Sequence, residues 1–311
     1  MAHSGTETLA GVSRLALWLA SLIGRRQFRK VLDDGWPQFL VPPFLFLLNG
    51  RVNSEDYPIV KKIENLRSEL AKRGNEFVPV FSDASLISQS QSPRPVTRSL
   101  AQVARVSSVL PVWGMFLHLC ADASRAKTIL ELGSSAGMSG CYLASANYCQ
   151  RFITVEGSAV LAKLAENHIR QVSNNFQVLN TSFNEALNQI LPTLTEGIDL
   201  AYIDGHKEKN ANLHYFERLT PHLNTGSVVV LDDIHWSREM REAWKIICRW
   251  KGFSYTINAG RFGVCIWSGK MVQPKTYALY NIAGMDLYQV KQSFEDMKTW
   301  LPRIRSRLGN P

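Results

Sequence analysis

From about residue 100 to residue 268, short apolar runs alternate with longer segments whose apolar positions recur at helical spacing. Thr128–Leu132, Arg151–Glu156, Phe176–Leu179, Ile198–Asp204 and Ser227–Asp232 read as strands. Ala136–Ala146, Ser158–Val172, Ser182–Leu191, Glu208–Leu219 and Arg238–Trp250 read as the helices between them. Ser158 has the chemistry of an N-cap. Continuous apolar strands separated by helices predict a parallel sheet covered on both faces. Phe253–Ile257 and Phe262–Trp267 leave no room for a helix, so they are expected to pair as a hairpin through Asn258-Ala-Gly260. The expectation is a mixed sheet of seven strands with an antiparallel hairpin at its edge.

The flanks are less regular. Residues 1–100 read as a helical and irregular extension with a good helix at Ile59–Lys72, whose Ile63, Leu66 and Leu70 share one face. Ser82–Val96, rich in Ser, Gln and Pro, reads as a linker, and the extension is expected to act as a lid over the active-site mouth. Residues 269–311 read as a basic tail with a helix at Asp286–Trp300. The division is therefore 1–100, 101–268 and 269–311.

Composition narrows the class. With 311 residues, 45% hydrophobic and 20% charged, the chain can bury a sizeable core. Its net charge of +9 permits attraction to anionic surfaces without establishing it, because the basic residues are dispersed. No specific nucleic-acid partner is implied. Five cysteines (Cys120, Cys141, Cys149, Cys248 and Cys265) with no C-x-x-C pair argue against a disulfide framework or zinc knuckle and fit a reducing cytoplasm. The uncharged run Trp36–Gly50 is too short to span a bilayer, and Leu132–Gln150 is too polar. Val12–Arg26 has helical apolar spacing with arginines after it, which favours packing on its own domain over lying on a membrane surface, and argues against a secretory signal.

Three clusters carry chemistry. The first is Glu131-Leu-Gly133-Ser134-Ser-Ala-Gly137-Met-Ser139, at the turn from a strand into a helix. Glycines there let backbone approach a ligand closely. Their G-x-x-x-G spacing differs from the G-x-G-x-x-G of dinucleotide binders, which disfavours an NAD oxidoreductase. The second is Glu156, which ends the next strand 19 positions after Gly137, where an acid can bind both hydroxyls of a ribose. The third joins Asp204-Gly-His206-Lys207 to Asp232-Asp233, all at carboxyl ends of strands. Three converging carboxylates repel unless a cation is present, and hard oxygen donors suit Mg²⁺. His235 reads as structural. No Asn-Pro-Pro-aromatic tetrapeptide follows the fourth strand, which disfavours a nucleic-acid adenine methyltransferase.

On these residues, with Leu110–Leu117 before the first strand, the stretch from about 110 to 268 resembles the class I S-adenosylmethionine-dependent small-molecule O-methyltransferases related to catechol and caffeoyl-CoA O-methyltransferases. The separation of Asp204 from Asp232 and Asp233, 28 and 29 positions, matches that family's metal triad. An aspartate at Asp233, where the catechol branch has asparagine, resembles instead the metal-dependent sugar O-methyltransferases of macrolide and aminocoumarin biosynthesis. The resemblance implies a Rossmann-like doubly wound α/β fold with S-adenosylmethionine as cofactor and Mg²⁺ as helper. It implies a cofactor-binding set of Glu131, Gly133, Ser134, Gly137, Ser139, Glu156, Ser182 and Asp204, with Phe183 beside the adenine. The metal would be held by Asp204, Asp232 and Asp233, and either His206 or Lys207 would take a proton from the hydroxyl of a small-molecule acceptor. A metal-independent methyltransferase and a non-catalytic cofactor-binding scaffold stand as alternatives, and homodimer formation is left open.

Overall fold

A computed structural model describes residues 14–81 and 95–279. Three helices open it: α1 (Arg14–Asp33), α2 (Val41–Asn49) and α3 (Tyr57–Lys72). Pro42 and Pro43 fall in the first turn of α2, where backbone N–H groups have no helical partner, and Gly50 closes the helix in the left-handed conformation at φ +61°. An antiparallel hairpin follows, β1 (Phe77–Phe81) with β2 (Pro95–Ser99). The N-terminal hundred residues are thus not only helical and irregular. Pro95 and Val96, expected in the linker, are strand residues; the rest of that linker and the helix at 286–300 lie outside the described residues.

Ser99 then starts α4 (Leu100–Val106) with a reciprocal capping box to Gln102, and α5 (Pro111–Ala123) leads into the sheet. The alternation is β3 (Thr128–Leu132), α6 (Met138–Ala144), β4 (Arg151–Val155), α7 (Ala159–Ile169), β5 (Phe176–Leu179), α8 (Phe183–Ile190), β6 (Ile198–Ile203), α9 (Lys209–Leu219), β7 (Leu223–Leu231) and α10 (Arg238–Ile247). It closes with β8 (Phe253–Asn258), β9 (Gly263–Trp267) and β10 (Lys275–Ala278). The strand order is β10-β8-β9-β7-β6-β3-β4-β5, and only β9 runs antiparallel.

The seven expected strands are present, and β10 adds an eighth within the stretch read as a tail. Its four residues bury only Tyr277. An edge strand with polar outward positions leaves almost no apolar run to detect.

Alternation along the strands splits the core. Ile129, Tyr202, Val228 and Val230 face α2, α5 and α6, while Leu130, Leu132, Val229 and Leu231 face α8, α9 and α10. The N-terminal helices belong to the first core. Phe28, Trp36 and Phe44 pack edge to face, Phe44 meets Phe116 of α5, Phe116 meets Phe262, and Trp36 meets Tyr277 of β10. Each such side chain, fully buried, contributes about 1.5–3 kcal/mol. A buried Glu64–Arg67 pair at 2.9 Å, to which the Tyr142 hydroxyl donates at 3.0 Å, ties α3 to α6. Among the described residues no single helix is long and apolar enough to cross a membrane.

Candidate active site

Strand order reverses between β3 and β6, which opens a crevice at their carboxyl ends. Gly133 and Asp204 face each other there. A Cβ on Gly133, at φ +103°, would stand 2.6 Å from the Asp204 carbonyl oxygen, so only glycine fits. Gly137, at φ +84°, precedes α6, and a Cβ on it would stand 2.7 Å from Ala165 Cα. Between these two glycines the chain carries Ser134 and Ser135, whose hydroxyls are buried without hydrogen-bond partners.

Two carboxylates flank this turn. Glu156 receives the Ser135 N–H at 2.8 Å on Oε2 and the Ser158 N–H at 2.9 Å on Oε1, which fixes it at the end of β4. Glu131 is fully buried in β3 and takes the Thr154 hydroxyl on Oε2 at 2.6 Å, while its Oε1 has no hydrogen-bond partner. Burial pushes the Glu131 carboxyl up to about 7, against the Ser139 and Thr154 hydroxyls, which favour ionisation. Unsatisfied buried oxygens on Glu131, Ser134 and Ser135 suit a ligand carrying an ammonium group and further polar atoms. Ser139 is buried beside them at the start of α6. Ser182 caps α8, accepting the Glu185 N–H at 3.3 Å and donating to Glu185 Oε2 at 2.9 Å. The ring of Phe183 presses on Gly205, where a Cβ would lie 2.0 Å from it.

Asp204, Asp232 and Asp233 do converge: one carboxylate oxygen of each lies within 4.8 Å of the others. Lys207 Nζ stands 2.7 Å from Asp204 and 3.3 Å from Asp233. Arg261 donates through Nε to Asp232 Oδ1 at 2.7 Å and through Nη2 to Oδ2 at 2.8 Å. Asp232 also accepts the Tyr202 hydroxyl at 3.2 Å and the Asp233 N–H at 2.7 Å. Burial would raise the Asp232 carboxyl, but Arg261 and Lys207 hold it well below the usual carboxylate range. Asp204 goes the other way, raised by burial and by the Asp232 charge. Burial disfavours the Lys207 ammonium, yet the three aspartates override it and keep the group firmly protonated. Asp233 sits at φ +53° and His206 at φ +38°, left-handed positions that non-glycine residues adopt at a cost of about 1–3 kcal/mol each.

The structure brings Lys207, rather than His206, onto the carboxylates. The buried His206 ring stacks on Tyr215, hydrogen-bonds its hydroxyl through Nδ1 and packs against Phe183, because the left-handed backbone turns it toward α8 and α9. His235 pairs with Asn258. Arg261 is the residue that sequence reasoning missed. Its signal was topological: β8 runs parallel to β7, so the turn after Asn258 must lie beside the carboxyl end of β7, where Asp232 and Asp233 follow. Three clustered hard oxygens are the donor chemistry of a divalent ion, and Asp204 and Asp233 are half-buried where Asp232 is fully buried. The mutual repulsion that would demand such an ion is largely met by Lys207 and Arg261.

The family described as a methyltransferase domain matches residues 130–234. The chain is 33% identical over 144 residues to the catechol O-methyltransferase of Niastella koreensis, covering 44% of this chain and 63% of that protein. It is 30% identical over 164 residues to the catechol O-methyltransferase of Mycobacterium tuberculosis, covering 50% of this chain and 71% of that protein. An O-methyltransferase from Bacillus cereus, solved in complex with SAH, aligns at a TM-score of 0.46 and 22% identity over 52% of this chain and 84% of its own. The chain belongs to the class I S-adenosylmethionine-dependent O-methyltransferase family. It spans less than two thirds of the first of these relatives and somewhat more of the second.

Proposed function

We propose that the protein transfers a methyl group from S-adenosylmethionine to a hydroxyl of a small-molecule acceptor, with vicinal diols and catechols the first candidates because the two relatives are named catechol O-methyltransferases. The observation that carries this reading is the adjacency of two half-sites. The turn with unsatisfied Glu131, Ser134 and Ser135 oxygens meets the Lys207–aspartate cluster across Gly133 and Asp204. Glu131 and Ser139 would take the methionine end of the cofactor, Glu156 the ribose, and Ser182 with Phe183 the adenine side. The sulfonium supplies an activated methyl that an aligned oxygen displaces in line.

The residues around the acceptor oxygen have distinct tasks. With no metal on the three aspartates their charge keeps the Lys207 ammonium protonated, and in that state it stabilises charge developing on the acceptor oxygen rather than taking its proton. In that metal-free state the proton goes to a carboxylate, and Asp233, half-buried and raised by burial and by the Asp232 charge, is the member beside Lys207 that would take it. Mg²⁺ held by Asp204, Asp232 and Asp233 would lower the pKa of a bound hydroxyl.

A second reading is favoured by Arg261, which already occupies both oxygens of Asp232. In it Lys207 and Arg261 supply the positive field and no metal is needed. Purified protein with S-adenosylmethionine and a panel of catechols and sugars, assayed for S-adenosylhomocysteine and a one-methyl mass increase, tests the activity. Loss of turnover in EDTA with recovery in Mg²⁺ supports the metal, and full turnover in EDTA supports Arg261. Tight cofactor binding with no methylated product from any acceptor would leave the scaffold reading instead.

A further inference from the structure

A second cluster of ligating side chains lies away from the catalytic crevice. His118 and Asp122 stand one turn apart on α5, and Asp56 stands at the start of α3. Because α5 leads into the first residue of β3, the cluster sits toward the amino ends of the strands, opposite the crevice.

The histidine's tautomer follows from its surroundings. Its ring is 2% exposed, and Nδ1 lies 3.1 Å from the Tyr142 carbonyl oxygen. A carbonyl only accepts, so Nδ1 carries the hydrogen, and the Ser145 hydroxyl donates to the same carbonyl at 3.0 Å. In the neutral ring the lone pair is therefore on Nε2. That nitrogen is buried without a hydrogen-bond partner and faces Asp122 Oδ2 at 3.5 Å and Asp56 Oδ1 at 3.6 Å.

These separations are informative. An imidazolium carries one N–H at Nε2 and would draw one of the two carboxylates to about 2.7–2.9 Å, the length of a charge-assisted N–H···O bond, yet neither stands that close. Adjacent ligand atoms around a tetrahedral zinc, each about 2.0–2.1 Å from the metal, stand about 3.3–3.4 Å apart. The observed spacings are close to the second figure. Both carboxylates are also available in orientation. Asp122 is fixed by Asn147, whose backbone N–H and side-chain amide each donate to it at 2.6 Å. Asp56 occupies the N-cap position of α3, yet its side chain makes no capping hydrogen bond. A ring N–H donated to a backbone carbonyl is the usual support for a metal-binding histidine. A depression of about 210 Å³, lined by Arg51, Asn53, Asp56 and Leu119, gives water access for a remaining coordination position.

We propose that His118, Asp122 and Asp56 bind a borderline divalent cation of the zinc class, which clips the N-terminal helices to the sheet domain. Imidazole with two carboxylates suits such an ion better than Ca²⁺ or Mg²⁺.

The test uses the full chain, stripped with a chelator and titrated with Zn²⁺ by calorimetry and with Co²⁺ by visible absorption. Expected is one equivalent, beyond any taken by the catalytic aspartates, whose Co²⁺ bands show nitrogen and oxygen ligation, together with a rise in melting temperature on adding Zn²⁺. Asp204→Asn should keep this equivalent, whereas His118→Gln and Asp56→Asn should weaken it at least tenfold. Asp56 is half-buried and its side chain makes no capping hydrogen bond, so its variant should fold even if the His118 variant does not, and circular dichroism checks that. No bound equivalent in the wild type, or one unchanged by Asp56→Asn, would overturn the proposal and leave the cluster a buried imidazolium between two carboxylates.

Discussion

Arg261 holds Asp232 by both oxygens, Nε to Oδ1 at 2.7 Å and Nη2 to Oδ2 at 2.8 Å, although the aspartate is fully buried and stands 29 positions away. The pair offsets the repulsion within the acidic cluster without an ion. It also sets Arg261 in competition with any divalent ion for the same oxygens.

Removal of that guanidinium exposes the competition. Arg261→Met leaves a buried carboxylate without its partner, which costs about 3–5 kcal/mol. Urea unfolding without metal should show the loss. Added Mg²⁺ should restore much of it in the variant while changing the wild type little. An equal response of both proteins to Mg²⁺ would show that the two cations do not share Asp232.

Lys207 is expected to act on turnover rather than on cofactor affinity. It touches Asp204 and Asp233, not the glycine turn. Lys207→Met should lower kcat by about 10²–10³, the effect of losing one preorganised donor to a developing oxyanion. Binding of S-adenosylmethionine, followed by calorimetry, should change less than threefold. A large loss of affinity with kcat preserved would move Lys207 from the acceptor side to the cofactor side.

The strands and helices of the central fold were legible because both of their periods are strongly expressed in the sequence. The convergence of Asp204, Asp232 and Asp233 was legible too, since parallel topology brings the carboxyl ends of neighbouring strands to one edge. Arg261 escaped because its role depends on the neighbour order of β7, β9 and β8, which no local pattern encodes. The orientation of His206 was not legible for a related reason. It adjoins Lys207 in sequence, but its φ of +38° turns the ring into the α8–α9 layer. β10 escaped because Tyr277 alone is buried in it, and the contribution of α1 and α2 to the core runs through single aromatics such as Phe28 and Trp36, spaced too widely to form a periodic face.

Glu131 should couple cofactor binding to a proton. Burial raises its carboxyl to about 7, so without ligand the group is largely neutral below that pH. Its contribution to folding is therefore complete below about 4.5, the ordinary glutamate range, and is lost as pH rises through about 7. An ammonium group brought beside Oε1 favours the charged form, so binding at pH 6–7 should release a fraction of a proton. Calorimetry in buffers of different ionisation enthalpy measures this, and Glu131→Gln should abolish it. Proton uptake, or release unchanged in the variant, would mean that the cofactor's amino group lies elsewhere.

Trp236 should select among acceptors. Trp236 is 73% exposed, and its backbone N–H donates to the Asp233 carbonyl at 2.9 Å, directly after the cluster. Two features fix its backbone: the left-handed turn at Asp233 before it, and Ser237 after it, which caps α10 by accepting the Met240 N–H at 3.1 Å. A large aromatic surface held at the rim of a polar site is suited to lie against a flat acceptor. Such a contact contributes about 0.5–1.5 kcal/mol beyond simple burial, which corresponds to roughly two- to twelvefold in affinity. Trp236→Ala should therefore raise KM for a catechol by about that factor and leave kcat nearly unchanged, since the contact exists before and during transfer alike. For a sugar acceptor of similar size the change should be smaller, because there is no ring face to meet. Steady-state kinetics on both acceptor types decides the matter. A fall in kcat with KM constant would assign the indole to the chemical step, and equal effects on both acceptors would remove it from the recognition of aromatic rings.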